Sequence, residues 1–112
     1  MNLNRALALE RVGGDEELLR EIAGLFLEDY PSLMTKIEHA VAAHDAHNLE
    51  RAAHSLKGSI ANFGSEAAYQ AALDLEQIGR SKNLEHMQEA HARLIAVMSH
   101  VCPELEALST GA

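Results

Sequence analysis

The chain has 112 residues, 47% of them hydrophobic, enough for one ordinary core and too few for two, so a single domain over residues 1–112 is expected. With 17 acidic against 9 basic residues the formal net charge is −8, and no stretch gathers Lys and Arg densely enough to track a phosphate backbone, which argues against nucleic acid as a partner. The one cysteine, Cys102, excludes an intrachain disulfide and suits a reducing compartment; with no leader evident and the longest uncharged apolar stretch, "LIAVMSHVCP", too short to cross a bilayer, a soluble cytoplasmic protein with no membrane partner is expected.

Abundant Ala, Leu and Glu with only two prolines favour helix throughout. A short first helix is expected over residues 4–11, stopping at Gly13-Gly14. Asp15 then caps a second segment, with Glu16 and Glu17 at the positive end of its dipole. This segment runs to about residue 43, and Leu18, Ile22, Leu25 or Phe26, Leu33, Ile37, Ala40 and Val41 recur at three- and four-residue steps as one buried stripe. Pro31 interrupts it, so either a kink or a new helix with Pro31 in its first turn is expected.

Asp45 suits the N-cap of a third helix over residues 46–62, with Gly64 just past its end. Ser65 caps a fourth, over residues 66–78, with Ala68, Ala71, Ala72, Leu75 and Ile78 on one side and Gly79 as its end. After the polar loop "RSKN" the last helix begins near Asn83. There Leu84, Met87, His91, Leu94, Met98, Val101 and Leu105 form the seam of a helix packed lengthwise on others, with His91 as a core histidine and Pro103 bending the end. Short connections favour antiparallel neighbours, so the expected fold is all-α, an up-and-down antiparallel four-helix bundle with the short N-terminal helix closing one end.

The third helix carries the chemistry. At about 100° per residue, with His54 at 0°, Leu49, Ala52, Leu56, Ser59, Ile60 and Phe63 fall within roughly 140° to 240° and form the core face. His54 lies opposite, ringed by His47, Glu50, Arg51, Lys57, Gly58 and Ala61, and is expected to face solvent. Gly58 lies one turn further on the same exposed side, where no core packing demands a small residue and glycine costs roughly 1 kcal/mol relative to alanine. Besides chance, one reason for it is that something bulky comes close to the backbone beside His54. A histidine whose ring nitrogen is unprotonated near neutral pH can attack phosphorus, and Lys57 offers a cation to the incoming anion.

The run "AAHSLKGSIANFG" resembles the signature of histidine-containing phosphotransfer (HPt) domains of bacterial and fungal phosphorelays, A-H-x-L-K-G-x-x-x-x-x-G. "RVGGDEELLREIAGLFLEDYPSLMTKI" is similar to the family's N-terminal helix pair and "LDLEQIGR" to its fourth helix, so the resemblance covers nearly the whole chain. It implies that His54 is phosphorylated, that Lys57 is the cation beside the phosphoryl group, and that Gly58 admits the partner. Glu76 stands where many members carry Gln or Glu, and would orient an N–H of His54 rather than touch the phosphoryl group, because like charges repel. Arg80 matches a basic docking position. The implied partners are receiver domains of response regulators or hybrid histidine kinases, which bring a phosphoaspartate and Mg²⁺, so the chain needs no cofactor of its own. Arg51, Lys57 and Arg80 would form a basic patch towards that acidic pocket, with Ala61, Leu7 and Ala8 as apolar contacts.

The family reading implies a phosphoryl carrier without ATP binding and not an enzyme in its own right; nothing in the sequence demands a dimer, and with a single exposed site a monomer is expected. Two alternatives stand beside it: a helical interaction module without chemistry, and a phosphotransfer domain of a larger hybrid or chemotaxis-type histidine kinase. No Gly-rich ATP motif is present, and 112 residues cannot hold a kinase domain as well. His44, His47, Glu50 and His54 have spacings that put ligands on adjacent turns, but they face solvent without a cysteine, so no metal site is expected. His39, His86 and His100 read as surface residues.

Overall fold

A computed structural model describes residues 2–111. Five α-helices follow one another: α1 (Arg5–Arg11), α2 (Glu16–Ala43), α3 (Ala46–Ile60), α4 (Glu66–Ser81) and α5 (Met87–Thr110), with a 3₁₀ turn, Ala61–Phe63, closing α3. Each of the first four begins at a short polar residue whose side chain accepts a backbone N–H that has no helical partner: Asn4 from Leu7, Asp15 from Leu18, Asp45 from Asn48 and Ser65 from Ala68. These caps fix where each helix starts, and the tight reversals between them make neighbours antiparallel.

The four long helices form a bundle in which α2 meets α3 and α5, and α4 meets α3 and α5. At about 42 Å, a straight helix of α2's length matches the 41 Å long dimension of the molecule, so α2 runs its full height. Leu49, Leu56, Ile60 and Phe63 of the α3 segment, Leu75 of α4 and Leu94, Met98, Val101 and Leu105 of α5 belong to one continuous core. The short α1 lies over the 3₁₀ turn, tied by the Asn4 N–H donating to the Phe63 carbonyl at 3.1 Å, and buries Ala8. The all-α bundle with a short N-terminal helix is therefore the architecture that the spacing predicted.

Several local expectations are corrected. Of the two alternatives at Pro31 the new helix is excluded: α2 continues through it, with Pro31 on the exposed side where the carbonyl left without a helical donor can be hydrated. Pro103 likewise sits exposed within α5. The buried row of α2's first half is Leu19, Ala23 and Phe26, whereas Leu18 and Leu25 are 40% and 58% exposed. The two rows differ by one residue, and the packing of Phe26 edge-on against Phe63, centroids 5.6 Å apart, selects between them.

The α-helical part of α3 ends at Ile60, its last turn tightening to the 3₁₀ form before Gly64 reverses the chain with φ +67°. Gly79 does not end α4. The helix passes through it to Ser81, and Lys82, with φ +62°, makes the reversal. In consequence α5 starts at Met87 rather than near Asn83, Ala90 takes the core position, and His91 is only half-buried. Ser59 and Ile78 are half-buried rather than core. Among the described residues no helix is long and apolar enough to cross a membrane.

Candidate functional site

The heptad logic that buries Leu49, Leu56, Ile60 and Phe63 turns the opposite face of α3 outward, and His54 is on it with its side chain 67% exposed. Gly58, one turn on, is exposed too, and a Cβ built there would meet nothing within 4 Å. The glycine therefore answers no packing need within the chain itself.

The neighbouring helix supplies an ionised group from within. Ala68, Ala71, Ala72, Leu75 and Gly79 of α4 face the core, and Glu76 shares their row, with its side chain 3% exposed. A carboxylate so placed needs partners, since burying an unpaired charge is prohibitive. It has three. Its Oε2 accepts from Nδ1 of His54 at 2.9 Å and from the Arg80 guanidinium at 2.9 Å, while its Oε1 lies 2.6 Å from the Lys57 ammonium. The Lys57 contact is an ion pair without hydrogen-bond alignment, so Oε1 has no directed donor.

Burial alone would push the Glu76 carboxyl up, but its interactions with Lys57 and His54 outweigh it and hold the group below the ordinary carboxylate range. Glu76 is thus ionised at neutral pH. An ionised carboxylate only accepts, so Nδ1 of His54 carries the proton in this bond, and in the neutral ring the lone pair is then on Nε2. Arg80 also donates from Nε to Glu50 Oε2 at 2.9 Å, and Glu50 followed by Glu76 holds its guanidinium more firmly charged. Lys57 is drawn in by Glu76 until its side chain is 17% exposed, with its ammonium 5.8 Å from the centre of the Tyr69 ring.

Of the residues singled out in the sequence, His54, Lys57, Glu76 and Arg80 therefore converge, and Gly58 adjoins them. Arg51 is exposed one turn before His54, at the rim of a groove between α2 and α3 that also holds Lys36 and His39. Ala61 is half-buried in a second groove, beside Leu7, Gly64 and Tyr69. Ala8 is corrected: at 1% exposure it belongs to the core beneath α1 and leaves Leu7 as the apolar side chain on the surface. Among the described residues no group of three or more His, Cys, Asp or Glu is placed to hold a metal ion.

Two participants went unassigned in the sequence. Glu50 appeared only as a neighbour of His54 and in the rejected metal set, although it sits on the same face one turn earlier, where an acidic residue can reach a cation at the end of the next helix. Tyr69 had no signal, because its place over Lys57 depends on how α4 packs against α3.

The family model of the Hpt domain matches residues 21–110. Among solved structures the chain is similar to histidine-containing phosphotransfer protein B from Pseudomonas aeruginosa PAO1, with a TM-score of 0.89 and 19% sequence identity, covering 99% of this chain and 96% of that one. At that identity the likeness establishes the fold alone. No curated protein sequence matches the chain significantly.

Proposed function

The chain belongs to the family of Hpt domains, phosphoryl carriers of phosphorelays, and on that premise we propose that His54 is the residue that receives the phosphoryl group from one receiver domain and hands it to another. One observation above all supports this: an exposed imidazole whose Nδ1–H is fixed by a buried carboxylate, leaving Nε2 free towards solvent.

In the proposed step the Nε2 lone pair attacks the phosphorus of a receiver's aspartyl phosphate. The N–P bond forms as the O–P bond breaks, and the aspartyl carboxylate leaves. The ring, still protonated on Nδ1, becomes cationic, and Glu76 stabilises that charge as it develops. Transfer to a second receiver is the same step reversed, which needs neither ATP nor a cofactor held by this chain; the receiver supplies Mg²⁺.

Glu76 would repel the phosphoryl oxygens if it stood alone. Lys57 and Arg80 offset the two carboxylates, Glu76 and Glu50, and Arg51 on the other flank of His54 adds a positive charge that they do not neutralise, on a chain of net charge −8. Gly58 gives the receiver access, and Arg51, Arg80 and Ala61 contact it, with Leu7 and Tyr69 extending the apolar part. One chain holds every group of this site, which is compatible with action as a monomer; we propose this together with a single domain over residues 1–112 and a cytoplasmic location.

The test is incubation with a phosphorylated receiver and Mg²⁺, followed by assay for acid-labile, base-stable phosphate on the chain. Label on the wild type and none on His54→Gln is the expected result. Label that persists in the variant, or a wild type that no receiver phosphorylates, overturns the assignment; a chain that still binds receivers without label is an interaction module.

A further inference from the structure

Three glycines lie inside helices, Gly24, Gly58 and Gly79, and all three give up helix propensity relative to alanine. A Cβ at Gly24 or Gly58 would meet nothing within 4 Å. At Gly79 it would lie 2.6 Å from the Glu50 nitrogen, 2.7 Å from the Ala46 carbonyl oxygen and 2.9 Å from the Glu50 Cα. These neighbours are backbone atoms of α3, which no rotamer change can move aside. Gly79 is therefore a point where α3 and α4 come into main-chain contact.

That contact lies one turn from the reacting group on both helices. The two helices run antiparallel, so the step from Glu50 to His54 on α3 is matched by the step from Gly79 back to Glu76 on α4. With Glu50 seated against Gly79, His54 falls opposite Glu76 at 2.9 Å. Any side chain at position 79 has to restore ordinary contact distance, which separates the helices by on the order of 1 Å. A hydrogen bond of 2.9 Å does not survive such a displacement without side-chain rearrangement.

We propose that Gly79 is a positioning residue for phosphotransfer: by letting the α3 and α4 backbones touch beside Glu50, it sets the distance at which buried Glu76 holds the Nδ1–H of His54. It touches neither phosphoryl group nor partner and acts through Glu76. Its effect on transfer rests on the role proposed for His54, whereas its effect on the His54–Glu76 bond does not.

The readouts are therefore two, on the full chain: the ¹⁵N NMR shifts of the His54 ring nitrogens, which report the tautomer without any receiver, and the rate of phosphoryl uptake. Gly79→Ala should shift population from the Nδ1–H to the Nε2–H tautomer and slow uptake about tenfold. In a Glu76→Ala background the same substitution should change either quantity less than about twofold, because the group it acts through is gone. A folded Gly79→Ala with unchanged His54 signals, or with an equal effect in both backgrounds, overturns the proposal.

Gly24→Ala, at a helix-interior site with open space, provides a stabilised background should Gly79→Ala fold poorly. Glu50→Ala, which keeps the backbone contact and removes only the tie to Arg80, is the companion arm and threatens the fold least. It should retain the Nδ1–H tautomer. If it loses that tautomer, the Glu50–Arg80 ion pair positions the site and the backbone contact does not. A wild type that shows the Nδ1–H tautomer yet takes up no phosphoryl group counts against phosphotransfer alone.

Discussion

His54 and Glu76 are joined by a 2.9 Å hydrogen bond across a boundary in solvent access, the imidazole being 67% exposed and the carboxylate 3%. The carboxylate carries its charge inside the bundle because Lys57 and Arg80 reach it from two sides. Replacing it with an amide of the same shape tests the charge separately from the geometry. Glu76→Gln should fold and keep an acceptor oxygen near Nδ1, yet lose the charge that stabilises the cationic ring. Since charge-assisted hydrogen bonds are roughly twice as strong as neutral ones, uptake of phosphoryl groups by His54 should slow on the order of tenfold. An unchanged rate in a stopped-flow or quench assay against a phosphorylated receiver contradicts the role given to the charge.

The same carboxylate sets a pH dependence of stability. Burial raises its pKa, the Lys57 and His54 interactions lower it, and the net value lies below the ordinary 4.5. A folded-state pKa below the unfolded one gives a contribution fully present above about 4.5, lost as pH falls through the folded value. Urea midpoints measured through and below that range should therefore drop for the wild type, and drop less for Glu76→Gln. Parallel curves for the two proteins would show that Glu76 contributes nothing to the acid limb.

Gly58 makes a prediction of opposite sign for stability and function. Its Cβ position is open, so alanine there should stabilise α3 by about 1 kcal/mol, and Gly58→Leu should leave helical circular dichroism unchanged. Phosphoryl uptake by Gly58→Leu should fall at least about tenfold, since the new side chain occupies the approach to Nε2. A leucine variant that transfers normally would leave the exposed glycine without a reason.

How much of this was legible in the sequence depends on whether local spacing or tertiary packing decides. The caps at Asp15, Asp45 and Ser65 are local chemistry, and each helix they open starts where the residues predict, whereas Asn4, read as the first residue of α1, is its cap. The exposure of His54 and Gly58 follows from helical periodicity alone. The choice between the Leu18 and Leu19 rows of α2 was not legible, because it rests on Phe26 finding Phe63 some forty residues on. Gly79 reads as a helix end by residue type; only the backbone of α3 beside it explains a glycine inside α4. Glu76 was visible as a partner of His54, but its grip on Lys57 and Arg80 arises from burial, which spacing does not reveal.

Gly64 shows how the N-terminal helix is held. With φ +67° it occupies a conformation that L side chains rarely adopt, and a Cβ there would lie 2.8 Å from the Asn4 Cβ and 3.2 Å from the Leu7 Cδ2. Gly64→Ala should cost about 1–3 kcal/mol, by thermal or urea unfolding, and should loosen α1 before the rest of the bundle. Hydrogen exchange that rises over residues 5–11 ahead of α3 and α4 is the expected pattern. Uniform loss across all helices would mean that α1 is not separately anchored there.

Arg51 differs from Arg80 in having no ion pair among the described residues, although both flank His54. Its charge is consequently available to a partner rather than committed within the chain. On an acidic protein such a cation acts chiefly on the rate of encounter with an acidic surface. Arg51→Glu should leave stability and the His54–Glu76 bond intact, and slow phosphoryl uptake from a receiver about tenfold at low salt. The deficit should shrink as salt rises, because screening shortens the reach of charges from about 10 Å at 0.1 M to about 3 Å at 1 M. The corresponding change at Lys36, on the α2 side of the same groove, should act more weakly, since it lies on a different helix from His54 whereas Arg51 precedes it by one turn. A salt-independent loss for Arg51→Glu would instead assign the side chain a direct contact in the docked complex.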